Sequence, residues 1–455
     1  MSYHLNLKDR YFFLVELNRT LLLKFFFSGL LSILFLSGCK TDSREKNGLV
    51  HIEQHSGKYI VFRNNKPFEI KGASGFTNLE QLSLAGGNTF RTWDTTNLSA
   101  ILDEASRNHL AVIVGLPMPL NEGEELSFYS NEKAVAQLNA AYTTLVNKFR
   151  KHPALLFWCL GNELSFPNKP KYLKFYQSFN DLVDMIHRVD PDHPVTTTMI
   201  NFHQKNVFNI KFRTDIDIIS FNTFGGLRSL SEELKDFEWI WDGPFLVTEW
   251  GIDGPWPGHD QTLWGAYIEQ TSTKKAEQYL AVYKKFMPVD NPRFLGALVF
   301  YWGSKQETTP TWFSLFDENG AASEAVGTMQ YIWTNKWPAR KPPRIKYMLL
   351  DNKGAKDNIL YNPHTKVVAR VLTDHSDTSH YTYRWHIEPE DWYVYNYVAN
   401  SRKQKPIDHL FIEEQDTTAI FRAPEREGPY RVFVSVYDRN GLFSTTNTPF
   451  YVVEP

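Results

Sequence analysis

Two glutamates stand where apolar runs give way to loops. The run Ala154–Leu160 leads out through Gly161-Asn162-Glu163, and Phe245–Thr248 delivers Glu249-Trp250-Gly251. A glutamate just beyond a buried strand costs desolvation free energy unless another group pairs with it or a reaction uses it. Brought together, two such carboxylates can divide the work, one staying charged while the other gives and takes a proton. Taken singly, each is equally well half of a structural ion pair.

The elements around them decide whether they meet. From residue 67 to 337, short β-rich apolar runs alternate with segments of helical period, the pattern of βα units around a parallel sheet. Eight runs fit: Pro67–Gly72, Asn88–Trp93, Ala111–Leu116, Ala154–Leu160, Pro194–Met199, Ile216–Phe221, Pro244–Trp250 and Leu295–Trp302. Between them, Val135, Leu138, Tyr142, Leu145 and Phe149 share one helical face, as do Phe175, Phe179, Leu182, Ile186 and Val189. Eight such units predict an α/β fold, a (β/α)8 TIM barrel, whereas an open doubly wound sheet would more often carry a Gly-rich phosphate loop after its first strand. No such loop is present. In a barrel of this kind the catalytic side chains sit at the C-terminal strand ends, which is where both glutamates fall.

The segment Val50–Lys66 reads as a hairpin able to plug the barrel bottom. Pro338, Pro342 and Pro343 break the pattern. Beyond them Val367–Leu372, Tyr381–Ile387, Leu410–Glu413, Tyr430–Tyr437 and Phe450–Val453 alternate as strands of an immunoglobulin-like β-sandwich. In that module a spacer or barrel-packing role is favoured over glycan binding through Trp385 or Trp392.

A chain of 455 residues, 42% of them hydrophobic, can bury more than one core. Lys and Arg total 49 against 51 Asp and Glu, so no long-range field draws nucleic acid or an anionic membrane surface. The 13 Trp, 22 Tyr and 33 Phe exceed what a core alone requires, and flat aromatic faces suit sugar-binding clefts. At the N-terminus, Arg19 and Lys24 precede the apolar run Phe25–Leu36, which ends in Leu36-Ser37-Gly38-Cys39. This resembles a bacterial lipoprotein signal with its lipobox, implying lipidation at Cys39 and a location on the cell envelope. The run is too short for a spanning helix, which needs about 20 residues. The organisation expected is a signal segment 1–38, a tether 39–48, a barrel 49–338 and a sandwich 344–455. With Cys39 acylated, Cys159 is the only cysteine left, so no intrachain disulfide is expected, and its apolar surroundings make it a small buried hydrophobe.

Four motifs in register with this pattern resemble family 2 glycoside hydrolases and the larger clan of retaining barrel glycosidases. They are Gly87-Asn88-Thr89-Phe90-Arg91-Thr92-Trp93 on the second strand, His152-Pro153-Ala154-Leu155-Leu156-Phe157-Trp158 leading to Gly161-Asn162-Glu163 on the fourth, Thr248-Glu249-Trp250-Gly251 on the seventh, and Trp302 ending the eighth. The resemblance implies double displacement, with Glu249 as nucleophile and Glu163 as general acid/base. It implies that Arg91 reaches Glu249 and, as a cation, lowers its pKa. Glu163 must start protonated, helped by the charge of Glu249 and by burial against Trp158 or Trp302. By the same analogy Asn162 bonds the sugar 2-hydroxyl and Trp302 stacks on the ring. The chain departs from the pattern at Phe224, where many members place a tyrosine that hydrogen-bonds the nucleophile. It also lacks a sandwich before the barrel, so the loops Asn121–Asn131, Gly251–Thr262 and Ser304–Trp312 are expected to build the rim.

Further substrate-binding candidates are Trp93, Trp250, Trp256, His203 and Asn222, although a tryptophan is more often core, and a loop His or Asn more often solvated or capping. Neither a metal nor a cofactor is expected, because no H-E-x-x-H or comparable ligand spacing occurs. The partners expected are an oligo- or polysaccharide substrate and, through Cys39, a membrane, with no nucleic acid. A transglycosylase would use the same two glutamates. A silent glycan-binding lipoprotein would have little need for an apposed carboxylate pair.

Overall fold

The computed structural model describes residues 49–374, 380–390 and 403–454, so Cys39, the tether and Trp392 lie outside the described residues. The described residues begin with three antiparallel strands, β1 (Val50–His55), β2 (Lys58–Arg63) and β3 (Lys66–Phe68). Their apolar side, with Val50 and Val61, packs on Ile70, Ala111, Ile113, Leu156, Ile218, Leu246 and Leu295, residues near the starts of barrel strands. Backbone bonds from Val50 to Asp192 (3.1 Å) and from Tyr59 to Pro292 (2.8 Å) fix this sheet to loops that enter the barrel. The expected hairpin is thus a three-stranded plug across the barrel's N-terminal end.

Eight strands follow and close a parallel barrel: β4 (Ile70–Ser74), β5 (Thr89–Arg91), β6 (Ala111–Leu116), β7 (Leu155–Leu160), β8 (Val195–Ile200), β9 (Ile218–Asn222), β10 (Phe245–Trp250) and β11 (Phe294–Phe300). One helix succeeds each: α1 (Leu79–Leu84), α2 (Leu98–Arg107), α3 (Glu132–Phe149), α4 (Leu173–Val189), α5 (Gln204–Arg213), α6 (Leu227–Asp236), α7 (Ser272–Phe286) and α8 (Glu324–Thr334). Strands β6, β7 and β10 are buried at every position, because the lumen covers one face and the helices cover the other. Tyr142, Val146 and Phe149 of α3, and Phe175, Phe179, Leu182 and Ile186 of α4, supply the helix side of the core. Asn131 and Thr271 cap α3 and α7 by accepting from the backbone N–H of Ala134 and Lys274. Cys159 is fully buried in the cluster that also holds the plug, and burial pushes its thiol up.

Most strand ends shift by one or two residues from the sequence reading, and two of the differences change where a residue belongs. Pro67 belongs to the plug and the first barrel strand begins at Ile70; the eighth strand ends at Phe300, leaving Tyr301 and Trp302 in the following loop.

The C-terminal part is a sandwich of two four-stranded sheets. Strands β12 (Ile345–Leu350), β14 (Lys366–Thr373), β17 (Thr418–Arg422) and β16 (Phe411–Gln415) form one, and β13 (Leu360–Tyr361), β19 (Phe443–Val452), β18 (Gly428–Tyr437) and β15 (Thr382–Pro389) the other. Trp385 is buried in the shared core, so it does not offer a glycan platform.

A buried polar chain joins sandwich to barrel. Arg431 donates to Glu390, to Asn447 Oδ1 (2.6 Å) and to the Tyr267 carbonyl (2.7 Å). Asn447 in turn donates to Glu269 (2.6 Å), which also takes Lys275, Thr309 (2.6 Å) and Thr311 (2.8 Å). Burial works against the Glu269 charge, but Lys275 and these donors overcome it and hold the carboxyl below its ordinary value. Thr309 and Thr311 sit in the loop that follows the eighth barrel strand, so the sandwich grips a loop of the barrel's C-terminal face.

Candidate active site

Both glutamates emerge at that C-terminal face. Side chains alternate along β10, so Trp250 turns to the helices, where it lies fully buried against Tyr279 and Tyr283, while Glu249 turns inward. Glu249 stands opposite Asn222 in the pairing of β10 with β9. Glu163 leaves β7 through a sharp turn: Gly161 has φ 74°, and a Cβ there would meet the Leu164 side chain at 2.3 Å. Glu163 itself takes φ 57°, a left-handed conformation that costs a non-glycine residue roughly 1–2 kcal/mol. Such strain concentrates where a side chain must be aimed for function.

Two side chains tie the carboxylates together. Asn222 donates to Glu163 Oε1 (2.8 Å) and to Asn162 Oδ1 (3.3 Å), and its own Oδ1 accepts from Arg91 (3.1 Å) and the Thr248 hydroxyl (3.0 Å). Arg91, fully buried, reaches Glu249 Oε1 (3.2 Å) and Asn162 Oδ1 (2.8 Å). The indole N–H of Trp93 also donates to Glu249 Oε1 (2.8 Å). That bond occupies the role expected of a tyrosine at position 224; Phe224 instead packs on Trp256, Phe300 and Phe313.

Burial pushes the Glu249 carboxyl up to about 7, opposed by Arg91, reinforced by Glu163, and opposed again by the Trp93 bond and Lys305. This corrects the expectation of a lowered value, since desolvation outweighs the guanidinium.

The glutamates open on a cavity of ≈ 740 Å³ walled by Trp93, Phe224, Trp256, Phe300 and Tyr301. Trp93 and Tyr301 stack at 5.7 Å. Of the residues expected here, Glu163, Glu249, Asn162, Trp93, Asn222 and Trp256 line the cavity, with Arg91 behind Glu249. Asn222 spends its amide on protein partners, so it is a bridge in the wall instead of a sugar contact. Three residues lie elsewhere. Trp250 is in the helix layer. Trp302 is fully buried against Phe316 and Trp333, with its N–H on the Asn78 carbonyl (3.3 Å). His203 lines a separate groove with Asn168, Phe208 and Phe237. Trp158 bonds Asp190 and lines no part of the cavity, so neither Trp158 nor Trp302 shields Glu163.

Sequence reasoning missed Tyr301, Glu307, Ile200 and Asn201, all of which line the cavity. Tyr301 was one position away from the tryptophan singled out; the loop residue Glu307 carries no motif. Of the expected rim loops, Gly251–Thr262 supplies Trp256 and Ser304–Trp312 supplies Lys305 and Glu307, whereas none of Asn121–Asn131 lines the cavity. Among the described residues no cluster of three or more His, Cys, Asp or Glu is placed to hold a metal ion.

Residues 100–286 match the family model described as "Glycosyl hydrolases family 2, TIM barrel domain". The chain is 24% identical over 204 residues to a β-glucuronidase of Paenibacillus borealis, covering 40% of this chain and 33% of that protein. It is 24% identical over 277 residues to a β-glucuronidase of Streptococcus agalactiae serotype V, covering 52% of this chain and 45% of that protein. The match thus spans less than half the length of these curated relatives. Among solved structures, a complex of Bifidobacterium dentium β-glucuronidase with coumarin-3-O-glucuronide aligns with a TM-score of 0.49 and 16% identity, over 64% of this chain and 50% of that chain. The stretch of barrel that carries both strand-end glutamates is thus similar to the TIM barrel domain of family 2 glycoside hydrolases.

Proposed function

We propose that this protein hydrolyses a β-linked glycan by double displacement, with Glu249 as nucleophile and Glu163 as acid and base. The observation that carries the reading is the pair of carboxylates bridged by Arg91 and Asn222 at the base of an aromatic-walled cavity. Both hydrogen bonds on Glu249 fall on Oε1, which leaves Oε2 to attack the anomeric carbon. As the C1–Oε2 bond forms, the glycosidic C1–O bond breaks and Glu163 gives its proton to the leaving oxygen. In the second step Glu163 takes a proton from water, the water oxygen bonds to C1, and the ester to Glu249 breaks. Arg91 fixes the Asn162 oxygen, which turns the amide N–H group of Asn162 toward a sugar hydroxyl. Trp93, Tyr301 and Trp256 offer faces for the pyranose rings.

The location proposed is the cell envelope, with the chain held by lipid on Cys39. Labelling with a radioactive fatty acid tests this: label in the wild type and none in Cys39→Ser is the outcome expected, and label in neither removes the anchor. For the chemistry, the purified protein and Glu249→Ala are incubated with β-glucans, β-galactans, β-mannans and aryl β-glycosides. Products are followed by mass spectrometry and the first-formed anomer by NMR. Wild-type cleavage with β first-formed product, absent in Glu249→Ala, is expected. An α first-formed product would overturn retention, and equal behaviour of the two proteins would overturn the nucleophile. Lengthened products would make the activity transglycosylation.

A further inference from the structure

The acidic and basic residues lining the cavity are Glu163, Glu249, Lys305 and Glu307, and Arg91 lies directly behind Glu249. A sugar carboxylate is held most strongly by a cation whose charge is not already paired, a free lysine or the open fork of an arginine. Here each nearby cation is already matched. Arg91 spends both terminal nitrogens of its guanidinium on Glu249, Asn162 and Asn222. Arg228, beside the lining residue Gly225, forms a two-point pair with Asp253 at 3.0 and 2.7 Å. Lys305 donates to the buried carboxylate of Glu307.

The loop holds that last pair in place. The Lys305 N–H donates to the Ser314 hydroxyl (2.8 Å), and the Glu307 N–H donates to the Thr309 carbonyl (3.1 Å). The Thr309 and Thr311 side chains are anchored on Glu269. Rotating Glu307 aside would therefore strip a mostly buried carboxylate of its cation in a loop with little freedom to follow. A uronate entering beside Glu163, Glu249 and Glu307 would add a further negative charge to a site with no unmatched positive one.

We infer that the cavity takes a neutral β-linked sugar and rejects 6-carboxylate sugars, with Glu307 as the residue that sets this choice by neutralising Lys305. The inference rests on the glycosidase reading above. It also separates this chain from the β-glucuronidases it matches, since the name of those relatives specifies a uronate.

The test uses matched aryl β-glycosides with one leaving group that differ only at C6, glucoside with glucuronide and galactoside with galacturonide. In the accepted configuration, wild-type kcat/KM for the neutral member should exceed that for its uronide by on the order of a hundredfold. Glu307→Gln should narrow the gap at least about tenfold, through a lower KM for the uronide as Lys305 is released. Lys305→Gln supplies a second reading if Glu307→Gln does not fold, and it should leave the uronide KM no worse relative to the neutral sugar. Preference for the uronide in the wild type, lost in Glu249→Ala, would overturn this inference and leave the glycosidase standing. A selective rise in uronide KM in Lys305→Gln would also overturn it. For sugars that bind without turnover, saturation-transfer NMR on Glu163→Gln reads the same pairs, and a uronide signal stronger than its neutral partner again counts against it. Neither turnover nor binding of any pair would sink the glycosidase reading and this inference together.

Discussion

The indole N–H of Trp93 and the guanidinium of Arg91 converge on one oxygen of Glu249, at 2.8 and 3.2 Å. A neutral donor thereby stands beside a cationic one and favours the charged form of a carboxyl that burial holds at about 7. Removing the donor with Trp93→Phe should cost a hydrogen bond to a charged group, about 1.5–3 kcal/mol. The Glu249 value then rises by roughly one unit or more. The acidic limb of the kcat/KM profile, centred near 7 in the wild type, should move up accordingly, so the loss is greater at pH 6 than at pH 9. An unmoved limb would detach Trp93 from the ionisation of Glu249.

The same raised carboxyl makes stability depend on pH. Between the ordinary value of 4.5 and about 7 the folded protein keeps a proton that the unfolded chain has released. Stability from this group therefore falls as pH rises through that window and is level above it. The whole effect is on the order of 3 kcal/mol. Glu249→Gln stands in for the protonated acid, so it should be more stable than wild type at pH 8 and nearly equal to it at pH 4.5. Urea midpoints at the two pH values give the answer, and a constant difference would refute the assignment of the raised value to Glu249.

Gly161→Ala tests the turn that aims Glu163. The added methyl meets Leu164 at 2.3 Å, at a φ of 74° that side chains resist. We expect destabilisation of about 1–3 kcal/mol and, because Glu163 is displaced, a kcat loss of about a hundredfold or more. The loss should be steepest for substrates with poor leaving groups, which most need a proton. Equal losses for good and poor leaving groups would mean that the turn does not orient the acid.

Glu269→Ala removes the anion from a buried cluster and leaves Lys275 without its counter-charge, with only the Thr311 carbonyl (2.7 Å) still accepting from it. The expected destabilisation is about 3–5 kcal/mol. The double variant with Lys275→Met should recover much of it. Because Thr309 and Thr311 lose their acceptor, KM should rise in the single variant even under conditions where it remains folded. Denaturation midpoints and steady-state kinetics on the same samples separate the two effects, and an unchanged KM would show that the loop does not depend on the cluster.

The barrel and the placement of Glu163 and Glu249 at its C-terminal face were legible because β7 is a continuous apolar run, β10 opens with one, and the polar residues come only at or beyond their C-terminal ends. The positions of Trp250 and Trp302 were not. A tryptophan at a strand end can turn inward or outward, and the choice depends on one residue of register. Strand β11 stops at Phe300, which leaves Tyr301 on the cavity and puts Trp302 behind it. The value of Glu249 was misjudged for a related reason: the sequence displays Arg91, whereas the depth of burial exists only after folding. Three sandwich strands, β12, β13 and β17, also escaped the reading. They are short, and Leu360–Tyr361 has only two residues, too few for alternation to register.

The polar chain from Arg431 through Asn447 to Glu269 gives the C-terminal sandwich a bearing on inheritance as well as on shape. An appended domain that only adds reach can be lost or exchanged at its linker. Here the linker prolines mark a place where the chain could be cut but the protein could not be without cost, since a barrel with a new neighbour would leave the buried Glu269 without its Asn447 donor. Descendants that trade this sandwich for another must replace that donor or adjust the Glu269 cluster with it, so the accessory domain and the loop carrying Thr309 and Thr311 are expected to vary together.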